Sequence, residues 1–134
     1  VAVYAQEITP GPAEWAALEQ AAGSPETLAE HQARHRRGGC VVARITGEVS
    51  AVVLMWRERI SATENELVIA LATGRNTRAF LPWVVEFARA NGCTSIRAHC
   101  RRAGLVRLFE RAGFRNEGPD NEGLTIVRRK HGRR

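Results

Sequence analysis

One stretch, Ala103-Gly-Leu-Val-Arg-Leu-Phe-Glu-Arg-Ala-Gly-Phe114, constrains the fold more than any other part of the chain. Leu105, Leu108, Phe109 and Ala112 recur at i, i+3, i+4 and i+7, which predicts one apolar face of a helix. Gly113 then supplies a residue that adopts left-handed backbone without a Cβ penalty, so the helix ends there and Phe114 can fold back onto it. Just upstream, Thr94-Ser-Ile-Arg-Ala-His-Cys100 alternates apolar and polar in the manner of a half-buried strand. A strand, a short helix, Gly-Phe and a further strand pair are therefore expected in that order.

The rest of the chain reads outward from that segment. Residues 1–8 alternate weakly as a first strand, broken by Pro10-Gly11-Pro12. Trp15, Leu18 and Ala22 keep helical spacing, and Ser24-Pro25-Glu26 is a helix start, with a cap, a proline at the first helical position and an acid in the first turn. That second helix, to about Arg37, carries few apolar residues and is expected to lie mostly exposed. Two strong strands, 40–45 and 49–57, flank the tight turn Thr46-Gly47-Glu48. A central strand over 66–73 follows, then a loop at 74–78, and a helix over 79–90 that is apolar nearly all round. After Pro119-Asp120-Asn121 a last strand spans 124–128. The expected order is β-α-α-β-β-β-α-β-α-β-β, an α+β fold (an α/β sandwich) built on one mixed sheet.

Length and charge set bounds. At 134 residues the chain is expected to form one domain over 1–127, followed by a basic tail over 128–134. The formal charge is +6, and Arg128, Arg129, Lys130, Arg133 and Arg134 supply all but one unit of it. Such a tail can hold nucleic-acid phosphates by counterion release, or simply be solvated. No apolar run is long enough for a membrane span, and no basic region followed by an apolar block marks a signal peptide. The three cysteines, Cys40, Cys93 and Cys100, lack metal-type spacing. Cys93 and Cys100 bracket one strand and cannot reach each other, so free thiols in a reducing, cytoplasmic setting are expected.

The element order, with Leu108-Phe109-Glu110-Arg111-Ala112-Gly113-Phe114 in its expected place, resembles the GCN5-related N-acetyltransferase (GNAT) superfamily. The resemblance implies a GNAT-like fold over nearly the whole chain and transfer of an acetyl group from acetyl-coenzyme A to an amine. It also implies that the cofactor pyrophosphate lies on backbone N–H groups between the fourth strand and the next helix, where unpaired donors and the positive end of the dipole meet. The corresponding residues are Thr73, Gly74, Arg75, Asn76, Thr77, Arg78 and Ala79. They depart from the family's Gln/Arg-x-x-Gly-x-Gly/Ala motif: beginning at Arg75 puts Arg78 and Phe80 at the small-residue positions, and beginning at Gly74 puts Thr77 and Ala79 there. Pro82 lacks an N–H close to the same turn. Arg75 and Arg78 could grip phosphates with their side chains instead.

A second departure concerns catalysis. Many family members protonate the leaving thiolate from a tyrosine that corresponds here to Phe109, which has no proton to give. Tyr4, the only tyrosine, belongs to the first strand. Glu58, Glu64 and Glu66 are the carboxylates available as a general base, each expected at an exposed strand end. His31 and His35 share a helix face but lie among Arg34, Arg36 and Arg37, which opposes a metal; no metal site and no assured catalytic residue are expected. His99 and Cys100 are neighbours on a strand and point to opposite faces. Trp56 and Trp83 are expected in the core or on its flank.

The expectation is thus an acetyltransferase fold with a degenerate acetyl-CoA loop, serving as a non-catalytic binding or structural module with a protein partner and no cofactor. Small proteins of this kind are similar to acetyltransferase-like proteins of tailed bacteriophages, which would place it in a virion if phage-encoded. The alternative is an active N-acetyltransferase using acetyl-CoA through an Arg75/Arg78 clamp. Nucleic-acid binding through the tail is a third, weaker possibility.

Overall fold

The computed structural model describes residues 2–75 and 77–131. Seven strands, β1 (Val3–Ile8), β2 (Val41–Gly47), β3 (Ser50–Arg59), β4 (Asn65–Arg75), β5 (Ser95–Cys100), β6 (Arg115–Pro119) and β7 (Thr125–Lys130), form one sheet of order β1-β2-β3-β4-β5-β7-β6. All pairs are antiparallel except β4 with β5, which the crossover helix makes parallel. Helices α1 (Pro12–Ala22) and α2 (Pro25–Arg36) cover one face, and α3 (Phe80–Ala90) and α4 (Ala103–Arg111) the other. The element order is the one read from the sequence.

Strand alternation builds two cores. Ala43, Val53, Met55, Leu67 and Ile69 face α3 and α4, while Val42, Leu54, Ala70 and Leu71 face Leu18 and Ala22 of α1 and Leu28 of α2. Both helix starts on the second face are capped locally. The Glu14 carboxylate accepts the Gly11 N–H at 2.7 Å, and Ser24 Oγ accepts the Thr27 N–H at 3.1 Å. At the end of α4, Gly113 takes φ +89°, the Phe114 N–H reaches the Phe109 carbonyl at 3.1 Å, and the two rings meet edge-on at 4.7 Å. The Gly-Phe stop seen in the sequence thus anchors β6 against the core.

Three expectations need correction. Residues 128–130 are not tail: β7 runs through Lys130, Arg128 binds Glu66 and Glu117, and Arg129 donates to the Ala112 carbonyl at 3.1 Å. Those cations are therefore engaged in the fold, and 132–134 lie outside the described residues. Second, α2 buries only Thr27 and Leu28, as its few apolar residues imply, but it is not free in solvent, because Trp56 of β3 holds it. The Arg34 guanidinium stands 4.0 Å over that indole, and His31 tilts against it at 6.0 Å. Third, β4 runs through Gly74 to Arg75 where a loop is expected, pairing Gly74 with Ala51 and Arg75 with Ser50. A Cβ at Gly74 would lie 2.1 Å from the Ser50 carbonyl oxygen, so the missing side chain is what lets these strands close up.

The three cysteines are free and buried, and burial pushes all three thiols up, that of Cys100 to about 12. No helix among the described residues is long and apolar enough to cross a membrane.

Candidate functional site

The site begins with one inserted residue. Leu54 pairs with Leu71 and Met55 with Ile69, which leaves Ala70 as a bulge in β4. Its mark is that Ala70 and Leu71, adjacent in sequence, both pack toward α1 and α2, where a regular strand would send them to opposite faces. Pairing of β4 with β5 stops at the same place, at Ile69 and Ala98, while pairing with β3 continues to Arg75. Beyond the bulge no strand among the described residues covers that edge of β4.

The parting of the two strands opens a cleft of about 350 Å³. Ala72, Thr73 and Gly74 of β4 form one wall, Gln20 and Ala21 of α1 a second, and His99, Arg101, Arg102, Gly104, Leu105 and Leu108 the third. The mouth is cationic. Arg101 is held by the Gln20 carbonyl at 2.6 Å, Arg102 caps α4 without a side-chain bond, and the first turn of α4 has no acid. The positive end of the helix is left uncompensated beside two guanidinium groups.

Of the residues expected to hold a cofactor, Thr73 and Gly74 line this cleft and Arg75, exposed, follows them at the end of β4. Asn76 lies outside the described residues. Thr77–Ala79 form a single 3-10 turn before α3, and Arg78 and Ala79 border a different, shallow depression with Pro82 and Trp83. Among the described residues of this stretch, Arg78 and Ala79 do not line the cleft that Thr73 and Gly74 line. The N-terminus of α3 has neither a side-chain cap nor an acid in its first turn.

The carboxylates singled out as possible bases are elsewhere. Glu58, Glu64 and Glu66 belong to the end of the sheet where β4 starts, about 20 Å from Thr73 at ~3.3 Å per residue. Glu66 is also not exposed: only 2% of its surface meets solvent. It accepts from Ser95 Oγ at 2.7 Å and from Arg128 Nε at 2.9 Å, with Arg97 at 3.4 Å. It is a structural charge at the join of β4, β5 and β7. Phe109, 2% exposed and packed on Phe114, offers no proton to the cleft.

Local sequence reading missed one pair. Nδ1 of His99 lies 2.8 Å from Asp120 Oδ2, the two residues being 21 apart in the chain. Asp120 in turn accepts the N–H groups of Glu122 at 2.8 Å and Leu124 at 2.9 Å. Burial pushes the Asp120 carboxyl up, but its hydrogen bonds from His99, Leu124 and Glu122 outweigh that and hold it below the usual carboxylate value. An ionised carboxylate only accepts, so the ring nitrogen facing it, Nδ1, is the donor. His99 and Cys100 do point apart, Cys100 entering the core under α3 and α4. The one local hint of the pair is the Pro119-Asp120-Asn121 turn, which sets an acid beside the sheet.

No family model and no curated protein matches the sequence. Solved structures do match the fold. A GNAT family acetyltransferase from Elizabethkingia anophelis with acetyl-CoA bound aligns at a TM-score of 0.66 and 12% identity, over 96% of this chain and 97% of the other. An acetyltransferase from Bacillus subtilis in complex with CoA gives 0.65 and 13%, over 95% and 96%. An N-acetyltransferase from Campylobacter jejuni gives 0.60 and 10%, over 97% and 99%. The chain therefore has the GNAT acetyltransferase fold along nearly its whole length.

Proposed function

We propose that this protein binds a coenzyme A thioester in the cleft between β4 and β5 and transfers its acyl group to an amine. The observation that carries the reading is the parting of the two strands at Ala70 beside a cationic mouth. An uncovered strand edge presents N–H and C=O groups that suit a ligand carrying amides of its own. Arg101 and Arg102 suit its phosphates, with Arg75 close behind Gly74. The residues present thus fit such a group, and two structural neighbours hold acetyl-CoA or CoA. When bound, the thioester supplies an activated acyl carbon. This chain supplies the grip, the cations and a wall of α4 residues that limits access of water.

This departs from the motif-based expectation, which rests on the loop 73–79 with Pro82, the position of Phe109 and the want of an assured general base. A non-catalytic module remains the second reading, favoured by the buried Phe109 and by the failure of Arg78 and Ala79 to reach the cleft. Calorimetric titration of the full chain with acetyl-CoA separates the readings when paired with a free-thiol assay over a panel of primary amines. Binding that Arg101→Ala and Arg102→Ala each weaken by about ten-fold or more supports a cationic grip, since a charge-assisted hydrogen bond is worth ~1.5–3 kcal/mol. Thiol release with an amine supports transfer. Absence of heat at millimolar acetyl-CoA overturns the proposal, and binding without thiol release for any amine favours the second reading.

A further inference from the structure

One wall of the cleft belongs to α4, and the outward side of that helix is cationic. Between residues 101 and 116 the chain carries five arginines, at 101, 102, 107, 111 and 115, against one carboxylate, Glu110. Arg102, Arg107, Arg111 and Arg115 are exposed, and no carboxylate among the described residues pairs with them. Arg129 adds another guanidinium at the far end of α4, on the Ala112 carbonyl at 3.1 Å. Glu117, the next acid along the chain, is taken up by Arg128. Arg107 and Arg111 are four apart on the helix, a spacing at which like charges weaken it, so the fold itself does not call for the row. The patch starts at the cleft and runs ~14 Å along α4 at 1.5 Å per residue. It has no stacking platform: Phe109 and Phe114 are buried, and the exposed large apolar side chains, Tyr4 and Ile60, lie on β1 and just after β3. Its recognition is ionic, which suits a surface of carboxylates better than the bases of a nucleic acid.

Resting on the thioester reading, we infer that the arginine face of α4 docks a small acidic carrier protein, whose pantetheine arm brings the acyl thioester into the cleft between β4 and β5. Coenzyme A and such a carrier offer the same pantetheine amides to the open edge of β4. They differ at the other end of the arm. Coenzyme A ends in a nucleotide with a pyrophosphate, whereas the carrier ends in a lone phosphodiester on an acidic protein surface. Cations on α4 beside the cleft, with Arg78 of the turn before α3 bordering a different depression, match the second arrangement. In the transfer the amine nitrogen bonds to the acyl carbon, the C–S bond breaks, and the proton lost by the amine ends on the sulfur of the carrier. Exposed docking charges steer the encounter, so salt weakens it.

The test uses the full chain with acetyl-CoA, a bacterial acyl carrier protein loaded with acetyl-pantetheine, and the same carrier without its arm. Calorimetry reads affinity. The loaded carrier should bind, and removal of the arm should weaken it ~10-fold or more, since the amides then leave the edge of β4. Arg107→Glu and Arg111→Glu should each weaken the loaded carrier ~10-fold, because they set like charges face to face. Neither residue lines the cleft, so acetyl-CoA affinity should stay within about two-fold of the parent. Both side chains are exposed, and Arg107→Gln and Arg111→Gln, which keep the urea midpoint, should show a smaller loss of the same sign. A chain that binds neither acetyl-CoA nor the loaded carrier defeats the thioester reading. Acetyl-CoA binding beside a loaded carrier that stays free, binds no better than its armless form, or ignores both charge reversals defeats this inference alone. A thymidine oligonucleotide that binds the parent but neither reversal, with the carrier left in solution, assigns the face to nucleic acid instead.

Discussion

Glu66→Gln separates a buried structural charge from a catalytic one in a single protein. The carboxylate is 2% exposed and meets Arg128 at 2.9 Å and Arg97 at 3.4 Å, so the substitution leaves two guanidinium groups facing a neutral amide. Breaking a fully buried pair costs ~3–5 kcal/mol. Here the loss is smaller, because Arg97 and Arg128 keep Glu58 and Glu117 and their side chains are 19% and 25% exposed. The glutamine oxygen also still accepts from Ser95. A destabilisation of about 2–3 kcal/mol follows, a fall in Tm of roughly 6–12 °C for a domain of this size. Urea denaturation at pH 7 measures it, with Glu58→Gln, the more exposed partner, as the control at under ~1 kcal/mol. Because Glu66 is at the far end of β4 from the cleft, acyl transfer by the folded variant should be unchanged. A Glu66→Gln protein as stable as its parent, or one whose transfer rate falls ~10²-fold while it remains folded, refutes the reasoning.

Gly74→Ala should cost well over 1 kcal/mol, because a Cβ at φ +157° lies 2.1 Å from the Ser50 oxygen and 2.5 Å from Ala51 Cα; thermal melts check it. Burial holds His31 below its usual 6.5, so the unfolded chain takes up that proton first as pH falls and the histidine subtracts stability below about pH 6.5. Urea midpoints at pH 7.5 and 5.5 should accordingly differ less in His31→Gln than in the parent. With all three thiols buried and Cys100 raised to about 12, native protein at pH 8 should react with a disulfide reagent far more slowly than protein in urea.

What the sequence made legible was whatever depends on near neighbours. The α4 stop at Gly113-Phe114, the Ser24-Pro25 start and the β2–β3 hairpin all follow from residues within one turn or two strands, and each is where expected. Gly74 misled because a glycine reads as a breaker, whereas here it permits a close approach of β3 and β4. Glu66 misled in the opposite way. A carboxylate at a strand end reads as exposed unless its cations are known, and those come from Arg97 on β5 and Arg128 on β7, the latter 62 residues away. The His99–Asp120 pair and the seat of Arg34 on Trp56 likewise join elements that only the sheet order brings together.

The bulge is the least legible feature and the one with most consequence, since Ala70 is an apolar residue in an apolar strand and carries no turn signal. A motif argument places the whole grip on a cofactor at the start of α3, where Arg78 and Phe80 fit poorly. In the proposed function that grip is spread instead over a strand edge left open where one extra residue interrupts β4 and its pairing with β5 ends. Deleting Ala70 tests that directly. Leu71 would then follow Ile69 and keep its own face, Ala72 would keep facing α3 and α4, and the register with β3 would become regular from Met55 to Leu54. The deletion should therefore fold, yet β4 would be free to run on beside β5 and fill the cleft with paired backbone. Acetyl-CoA binding should vanish while the urea midpoint holds or rises. A folded deletion variant that still takes up acetyl-CoA would show that the ligand site does not depend on the divergence of these strands.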